Sequence, residues 1–360
     1  EEVNSMITRK EIAQRAGVSV SVVSRALNNS GYVREDKREE ILRVAEELGY
    51  RPNPVAMSLQ KRRTKQILFY CKDLNNAFNI EMYQGMLEEA EKYGYMVVMH
   101  GKLNFNIVRD MMIDGLILPN QPITAIYLDE IGNNYHLPVV TASYGDDIYL
   151  SKAVPLIECD LLQGAKDALQ YLWDKGHRKI AMVTPYDLIT HNSRTIAWKE
   201  FMKPVLKDRM EDYFLGISRG GLHNDQRINQ FTEEQSREFR YHQDSFYEKG
   251  MLAGDIFSER KMDATAVLCF NDEMAMGFAK RIKHFGYRIP EDISLMGFDG
   301  VVTGRYMEPV LTTMALHPAV MGAKCVQVMM SVLQGNKYKY VTHIPTKILE
   351  GESVKDLRVR

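Results

Sequence analysis

Gly216-Ile217-Ser218-Arg219-Gly220 has the G-x-S-x-G spacing that can lift a serine nucleophile on a tight turn between a strand and a helix. Tyr213 to Ile217 could supply the strand, but Gly221-Leu222-His223-Asn224-Asp225 has no helical apolar face, so the helix that an elbow needs is missing and chance accounts for the match. Ser58-Leu59-Gln60-Lys61 fits S-x-x-K, yet it lies in a proline-bracketed segment before a basic run. Walker A, dinucleotide G-x-G-x-x-G and H-E-x-x-H motifs are absent. Cys71, Cys159, Cys269 and Cys325 are scattered without zinc spacing or close pairing, and the 21 methionines read as core packing. No catalytic residue, cofactor or metal is therefore expected.

Recognition chemistry is better marked. Val20, Ser21 and Arg25 open a short helix, Val20 to Leu27, that follows another, Arg9 to Ala16, across the turn at Gly17. Thr8 and Glu11 have capping-box spacing for the first helix, and Ser19 can cap the second. When the second helix of such a pair enters the major groove, its first residues meet base edges. Arg25 can then grip guanine with two hydrogen bonds, Val20 can meet a thymine methyl, and Ser21 tolerates either partner. A third helix, Glu35 to Leu48, presents Ile41, Val44, Ala45 and Leu48 on one face to close a three-helix module with Val18, Val23 and Leu27, and Gly49 ends it. Residues 1–65 hold 13 Lys and Arg against 9 Asp and Glu, a balance of +4 in a chain whose net charge is -1.

Beyond Lys65 short apolar runs alternate with amphipathic stretches. Ile67 to Cys71, Tyr95 to Met99, Gly115 to Leu118, Val139 to Ala142, Ile180 to Thr184, Val267 to Phe270 and Leu295 to Phe298 read as buried parallel strands. Asn79 to Tyr93, Leu162 to Lys175, Arg194 to Lys207, Glu273 to Phe285 and Pro318 to Leu333 supply covering helices. The pattern is that of a doubly wound α/β core with ligand at the C-terminal strand ends. With 360 residues, 45% hydrophobic and 26% charged, the chain has the composition of a soluble multidomain protein, and no apolar run is long enough for a signal peptide or membrane span. A reduced cytoplasm fits the cysteine usage.

Ile12-Ala13-Gln14-Arg15-Ala16-Gly17-Val18-Ser19, Val23-Ser24-Arg25-Ala26-Leu27-Asn28, Leu48-Gly49-Tyr50-Arg51-Pro52-Asn53 and Val55-Ala56-Met57-Ser58-Leu59 together resemble the headpiece and hinge of lactose-repressor/galactose-repressor (LacI/GalR) transcription regulators. The resemblance continues through Asp114-Gly115-Leu116-Ile117-Leu118, Gly176-His177-Arg178, Phe270-Asn271-Asp272-Glu273 and Gly297-Phe298-Asp299-Gly300. It implies a three-helix headpiece at 1–50, a hinge helix at 51–65 and a core at 66–360 resembling periplasmic binding proteins. The implied lobes are about 66–176 with 314–340, and about 177–313 with 341–360, the chain crossing near His177, Leu311 and Val341. DNA contacts are implied at Thr8, Ser19, Val20, Ser21, Ser24, Arg25, Asn28, Tyr32, Asn53 and Ala56, with Leu59 wedging between base pairs at the operator centre. Effector contacts are implied at Asn75, Phe78, Tyr144, Asp160, Arg194, Asn271 and Asp299. Asp299 would accept hydroxyl hydrogen bonds, Arg194 would donate in a fixed fork, Asn271 would do both, and the aromatic faces would pack on a sugar or a purine. For each polar residue the structural alternative is a helix cap or an ion pair, and for Phe78 and Tyr144 it is core packing.

Three departures from the family pattern stand out. Gly101 to Ile113 leaves room for only a stub of helix where dimer contacts usually form, and Ser218 to Asp244 is a polar insertion. Leu161 follows Asp160 where asparagine is usual, and Ser143-Tyr144-Gly145 replaces a commoner acidic-basic pair, so the ligand is expected to differ from a common hexose. The expected protein is a cytoplasmic, homodimeric repressor that binds double-stranded operator DNA and no membrane, under control of a small effector, foremost a carbohydrate. The alternative is a hydrolase using Ser218 with an appended DNA-binding headpiece.

Overall fold

The computed structural model describes residues 7–51, 63–71, 74–101, 104–133, 136–143, 150–151, 153–189, 192–217 and 245–358. The hinge residues Asn53, Ala56 and Leu59, the candidate contact Tyr144, and Ser218 with the insertion up to Asp244 lie outside them. Two compact units separate at Thr64 and Lys65.

The first unit is built from α1 (Arg9–Arg15), α2 (Val20–Leu27) and α3 (Glu35–Glu47). Thr8 N–H donates to the Glu11 carboxylate at 2.5 Å, completing the capping box. Ser19 stands at the N-cap of α2, but its hydroxyl pairs with that of Ser21 at 2.8 Å and makes no cap bond. Gly17 takes φ +62° in the turn, and Gly49 takes φ +64° as α3 closes with Tyr50 N–H on the Ala45 carbonyl at 2.8 Å. Ile12, Ala13, Val23, Ala26, Ile41, Val44 and Ala45 form the small core; Val18, Leu27 and Leu48 flank it, partly buried.

The second unit contains two sheets of six strands. In the first, β1 (Gln66–Tyr70), β2 (Met96–His100), β3 (Gly115–Leu118), β4 (Val139–Ser143), β5 (Leu156–Cys159) and β11 (Val341–Ile344) run in the order β11-β5-β4-β3-β1-β2. In the second, β6 (Ile180–Thr184), β7 (Phe214–Gly216), β8 (Ala266–Cys269), β9 (Ser294–Asp299), β10 (Thr312–Ala315) and β12 (Lys347–Leu349) run β12-β10-β9-β8-β6-β7. The two orders are equivalent. All pairings are parallel except β10 with β12, an edge pair in which neither strand was among the runs read from sequence. Helices α4 (Ala77–Glu91), α5 (Asn106–Asp110), α6 (Gln121–Tyr127), α7 (Leu161–Asp174), α8 (Ser193–Leu206), α9 (Phe246–Glu259), α10 (Asp272–His284) and α11 (Pro318–Gln334) cover them. α5 has five residues, the stub anticipated from the short segment before β3.

The lobe boundaries need three corrections. α7, expected in the first lobe, packs on α8 and the second sheet, with Lys166 to Glu200 at 2.9 Å and Trp173 edge-on to Phe201, so the first crossing falls at Asp160 rather than near His177. β10 pairs with β9, which moves the second crossing past Ala315, to Leu316 and His317. Val341–Ile344, expected in the second lobe, pairs with β5, and the third crossing follows Ile344.

Within each lobe one helix pair is interlocked. A Cβ on Gly85 would collide with the Ala319 carbonyl and one on Gly322 with that of Met82, which fixes α4 against α11. Gly250 and Gly277 fix α9 against α10 in the same way, through the carbonyls of Met274 and Tyr247.

Candidate functional site

On the headpiece, Ser19, Ser21 and Arg25 are exposed, Val20 is 45% and Tyr32 84% exposed, and Thr8 is exposed at the start of α1. The Arg25 stem passes over Gly31, where a Cβ would stand 3.2 Å from its Cδ, and its Nε makes a long contact of 3.4 Å with the Ser21 carbonyl. The guanidinium is thus supported at its base and open at its tip. Ser24 and Asn28 are engaged differently: the Ser24 hydroxyl accepts from Arg9 Nη1 at 3.0 Å and from Asn28 Nδ2 at 3.3 Å. Arg9 also donates to the Tyr50 hydroxyl at 3.1 Å, so these residues fasten α1 to α2.

On the core, the polar candidates of the second lobe gather at the C-terminal ends of its strands, at the side favoured for ligands in such sheets. Trp198 anchors α8 by donating from Nε1 to the Ile180 carbonyl at 3.0 Å, and Asn192 caps that helix, accepting from Arg194 N–H at 3.1 Å. Arg194, 2% exposed, therefore enters the site from a fixed helix end. Its guanidinium carbon lies 4.1 Å from the Phe270 ring centre and 4.4 Å from that of Phe298, and Tyr186 and Phe246 pack on Phe270. Arg194 Nη2 stands 3.5 Å from Asp299 Oδ1. A tight charge-assisted contact is about 2.7–2.9 Å, so at 3.5 Å these two atoms are within ion-pair range without forming a close hydrogen bond. Burial pushes the Asp299 carboxyl well above its ordinary value, and Arg194 opposes that rise.

Asp299 has φ +117°, a conformation rarely taken by a side-chain-bearing residue. Asp272, which sequence reasoning missed, holds it there. Fully buried, it accepts Gly300 and Val301 N–H at 2.8 and 2.9 Å and the Thr313 hydroxyl at 2.5 Å. Burial pushes its carboxyl up to about 7, the three donors pulling the other way. The signal was faint, because an aspartate in the first turn of a helix ordinarily answers the helix dipole. Phe270 and Phe298 were missed as site residues too, although each directly precedes a candidate.

The remaining candidates divide. Asn271 caps α10, accepting Met274 N–H at 2.9 Å, and is 3% exposed; Asp160 caps α7, accepting Gln163 N–H at 2.9 Å. Asn75 is exposed just before α4, whose cap is Asn76. Phe78 is 4% exposed and belongs to the main apolar core, the alternative weighed for it. Arg194 and Asp299 are brought together with Asn271 near them in the strand order, whereas Asn75, Phe78 and Asp160 stand on or at the edge of the first sheet's lobe.

A two-lobed binding-protein core that follows a helix-turn-helix unit defines a class of regulator in which one part reads DNA and another holds a ligand. Residues 8–53 match the model for bacterial regulatory proteins of the lacI family, 64–207 that for periplasmic binding proteins and the sugar-binding domain of the LacI family, and 169–354 that for a periplasmic binding protein-like domain. The chain belongs to the LacI family of bacterial transcription regulators. It is 25% identical over 361 residues to the HTH-type transcriptional repressor PurR of Vibrio cholerae, covering 98% of this chain and 99% of that one. Its fold is similar to a lac repressor dimer solved with operator and an anti-inducer (TM-score 0.72, 19% identity, 98% and 100% of the chains). A LacI-family regulator from Enterococcus faecium with bound ribose is also similar (TM-score 0.64, 19% identity, 81% and 99%). No described helix is long and apolar enough to cross a membrane.

Proposed function

We propose that this regulator is a homodimeric repressor of transcription whose affinity for a palindromic operator is set by a small polyhydroxylated effector, foremost a carbohydrate, bound at Arg194 and Asp299. The observation that carries this reading is their buried, loosely paired arrangement at the ends of β9 and α8, beside aromatic rings. A carboxylate offers acceptors to vicinal hydroxyls, a guanidinium offers a planar fork of donors, and ring faces take C–H surfaces. The ribose bound by the Enterococcus regulator agrees with that chemistry. Val20, Ser21 and Arg25 read base edges from α2, with Thr8, Ser19 and Tyr32 as exposed companions; Ser24 and Asn28 serve by bracing the module. Asn53, Ala56 and Leu59 in the hinge, and Tyr144 at the ligand, complete the proposal from the family resemblance.

The test is a thermal-stability screen of the purified chain with sugars, sugar phosphates and nucleobases. A true effector raises the unfolding temperature with the logarithm of its concentration once that exceeds its Kd. Arg194→Lys should remove that shift, since a point charge cannot replace the fork. A stabilising compound that acts equally on Arg194→Lys would place the site elsewhere.

A further inference from the structure

Three consecutive backbone N–H groups after Asp299 are divided between carboxylates of different lobes. Gly300 and Val301 donate to Asp272 of the second lobe, and Val302 donates to Glu81 Oε1 at 2.6 Å. Glu81 lies on α4, which packs on α11 and the first sheet, whereas Val302 opens a single 3-10 turn, Val302–Tyr306, lying against α10. Burial pushes the Glu81 carboxyl up, while the Val302 N–H and Arg305, in the same turn, oppose that rise. On its other side the turn is continuous with the crossing between lobes, because the Asp299 carbonyl accepts Leu316 N–H at 2.9 Å and the Leu316 carbonyl accepts from Cys159 Sγ at 3.5 Å. Leu316 and Cys159 each sit at a crossing. Asp299 is thus strung between the crossings on one side and a first-lobe carboxylate on the other.

We propose that Glu81 is a positioning residue of the effector response: by holding Val302 N–H it makes the lobe-to-lobe arrangement depend on the shape of the turn that carries Asp299. This rests on the reading of Arg194 and Asp299 as the effector site. A ligand shifts an equilibrium only through a difference in affinity for its states. A contact that exists in one arrangement and is attached to a ligand-binding residue supplies such a difference. Replacing the carboxylate with a group that cannot accept should uncouple the turn from the first lobe, and an amide oxygen should restore much of the contact.

The experiment uses the full chain as the parent protein, Glu81→Ala and Glu81→Gln. Hydrogen exchange resolved to residues 300–306 should show Val302 N–H exchanging roughly ten- to a hundredfold faster in Glu81→Ala, the range expected for loss of a hydrogen bond to a charged group. Gly300 and Val301 should be unchanged and Glu81→Gln close to the parent. In parallel, a fluorophore pair placed by Glu88→Cys and His284→Cys, with labelled protein diluted into unlabelled, reports the distance between α4 and α10. All four native cysteines are buried, which favours labelling of the introduced ones. Glu81→Ala should broaden the distance distribution, and Glu81→Gln should narrow it again. Unchanged exchange at Val302, or an unchanged distribution, overturns the proposal. Calorimetry with D-ribose and guanine as probes separates this from the effector reading: probe binding that survives Arg194→Lys sinks that reading and leaves the exchange result standing. Normal probe binding in the parent with no exchange change in Glu81→Ala sinks the role of Glu81 alone.

Discussion

Arg194 and Asp299 face each other across 3.5 Å within one lobe, the arginine held between Phe270 and Phe298. They do not reach across the cleft toward one another, so a ligand that engages both is held by the second lobe. Breaking a buried ion pair by removing one member typically costs about 3–5 kcal/mol. Asp299→Ala should accordingly lower the unfolding free energy as well as remove ligand stabilisation, whereas Asp299→Asn should cost less and still lose the ligand. Denaturant titrations with and without the effector check both; equal stability of Asp299→Ala and the parent would mean that the pair is not formed in solution.

Arg25→Ala should relax specificity at one position of the half-site by about 1–3 kcal/mol, the value of a lost bidentate base contact. The measurement is binding to an operator obtained by selection from random DNA, followed by single-base variants at fixed salt. Uniform weakening on all sequences would assign Arg25 to a phosphate instead.

Gly85→Ala and Gly322→Ala place a methyl group against the facing helix backbone, which cannot turn aside as a side chain can. Each should destabilise by about 1–3 kcal/mol, the usual range for overpacking. Gly17→Ala meets nothing within 4 Å, so its cost comes from φ +62° alone, about 1 kcal/mol. Urea unfolding of the three variants should rank them in that order; a neutral Gly85→Ala would show that α4 and α11 are further apart than described.

His177 joins the second lobe to the C-terminal segment, its Nε2 3.1 Å from the Lys355 carbonyl and its Nδ1 3.0 Å from the Thr265 hydroxyl. Because a carbonyl only accepts, Nε2 carries the proton and Nδ1 accepts from Thr265. Burial lowers the His177 pKa below its ordinary 6.5. The folded state then binds fewer protons than the unfolded one below that pH, so stability falls as the solution is acidified through 6.5 toward the depressed folded value. Asp272, raised to about 7, has the opposite sign: its contribution is present in acid and fades as pH rises through 7. Unfolding temperatures at several pH values from neutral to mildly acidic, for the parent and His177→Gln, isolate the histidine. An identical acid loss in both would assign it to other groups.

Much of this architecture was legible locally. β3 and β6 begin and end where the apolar runs do, and α2 and α11 start at the expected residues, because caps, prolines and apolar runs are properties of neighbouring residues. Elements without a local signal escaped. β12 has three residues and β11 is a mostly exposed edge strand, so neither has the unbroken apolar run that marks a buried strand. The crossing at Asp160 was misplaced for a related reason: the amphipathic face of α7 says that it must be covered, but not by which sheet. At the site, the family resemblance pointed to Arg194 and Asp299, yet their pairing with each other, and the part played by Asp272 beneath them, depend on contacts between distant segments. Asp160 and Asn271 carry the side chains of ligands and of helix caps alike, and the cap bonds are what the fold displays.

The interlocked helix pairs have a mechanical consequence. Gly85 with Gly322 and Gly250 with Gly277 bring backbone against backbone, leaving no compliant side-chain layer in either pair to absorb a displacement. Each lobe should respond to a push as a stiff plate. A shift of a fraction of an ångström at Arg194 or Asp299 then cannot dissipate in the surrounding packing; it emerges at Asp160, at Leu316 and His317, and beyond Ile344 as a change of angle, whose reach grows with distance from that axis.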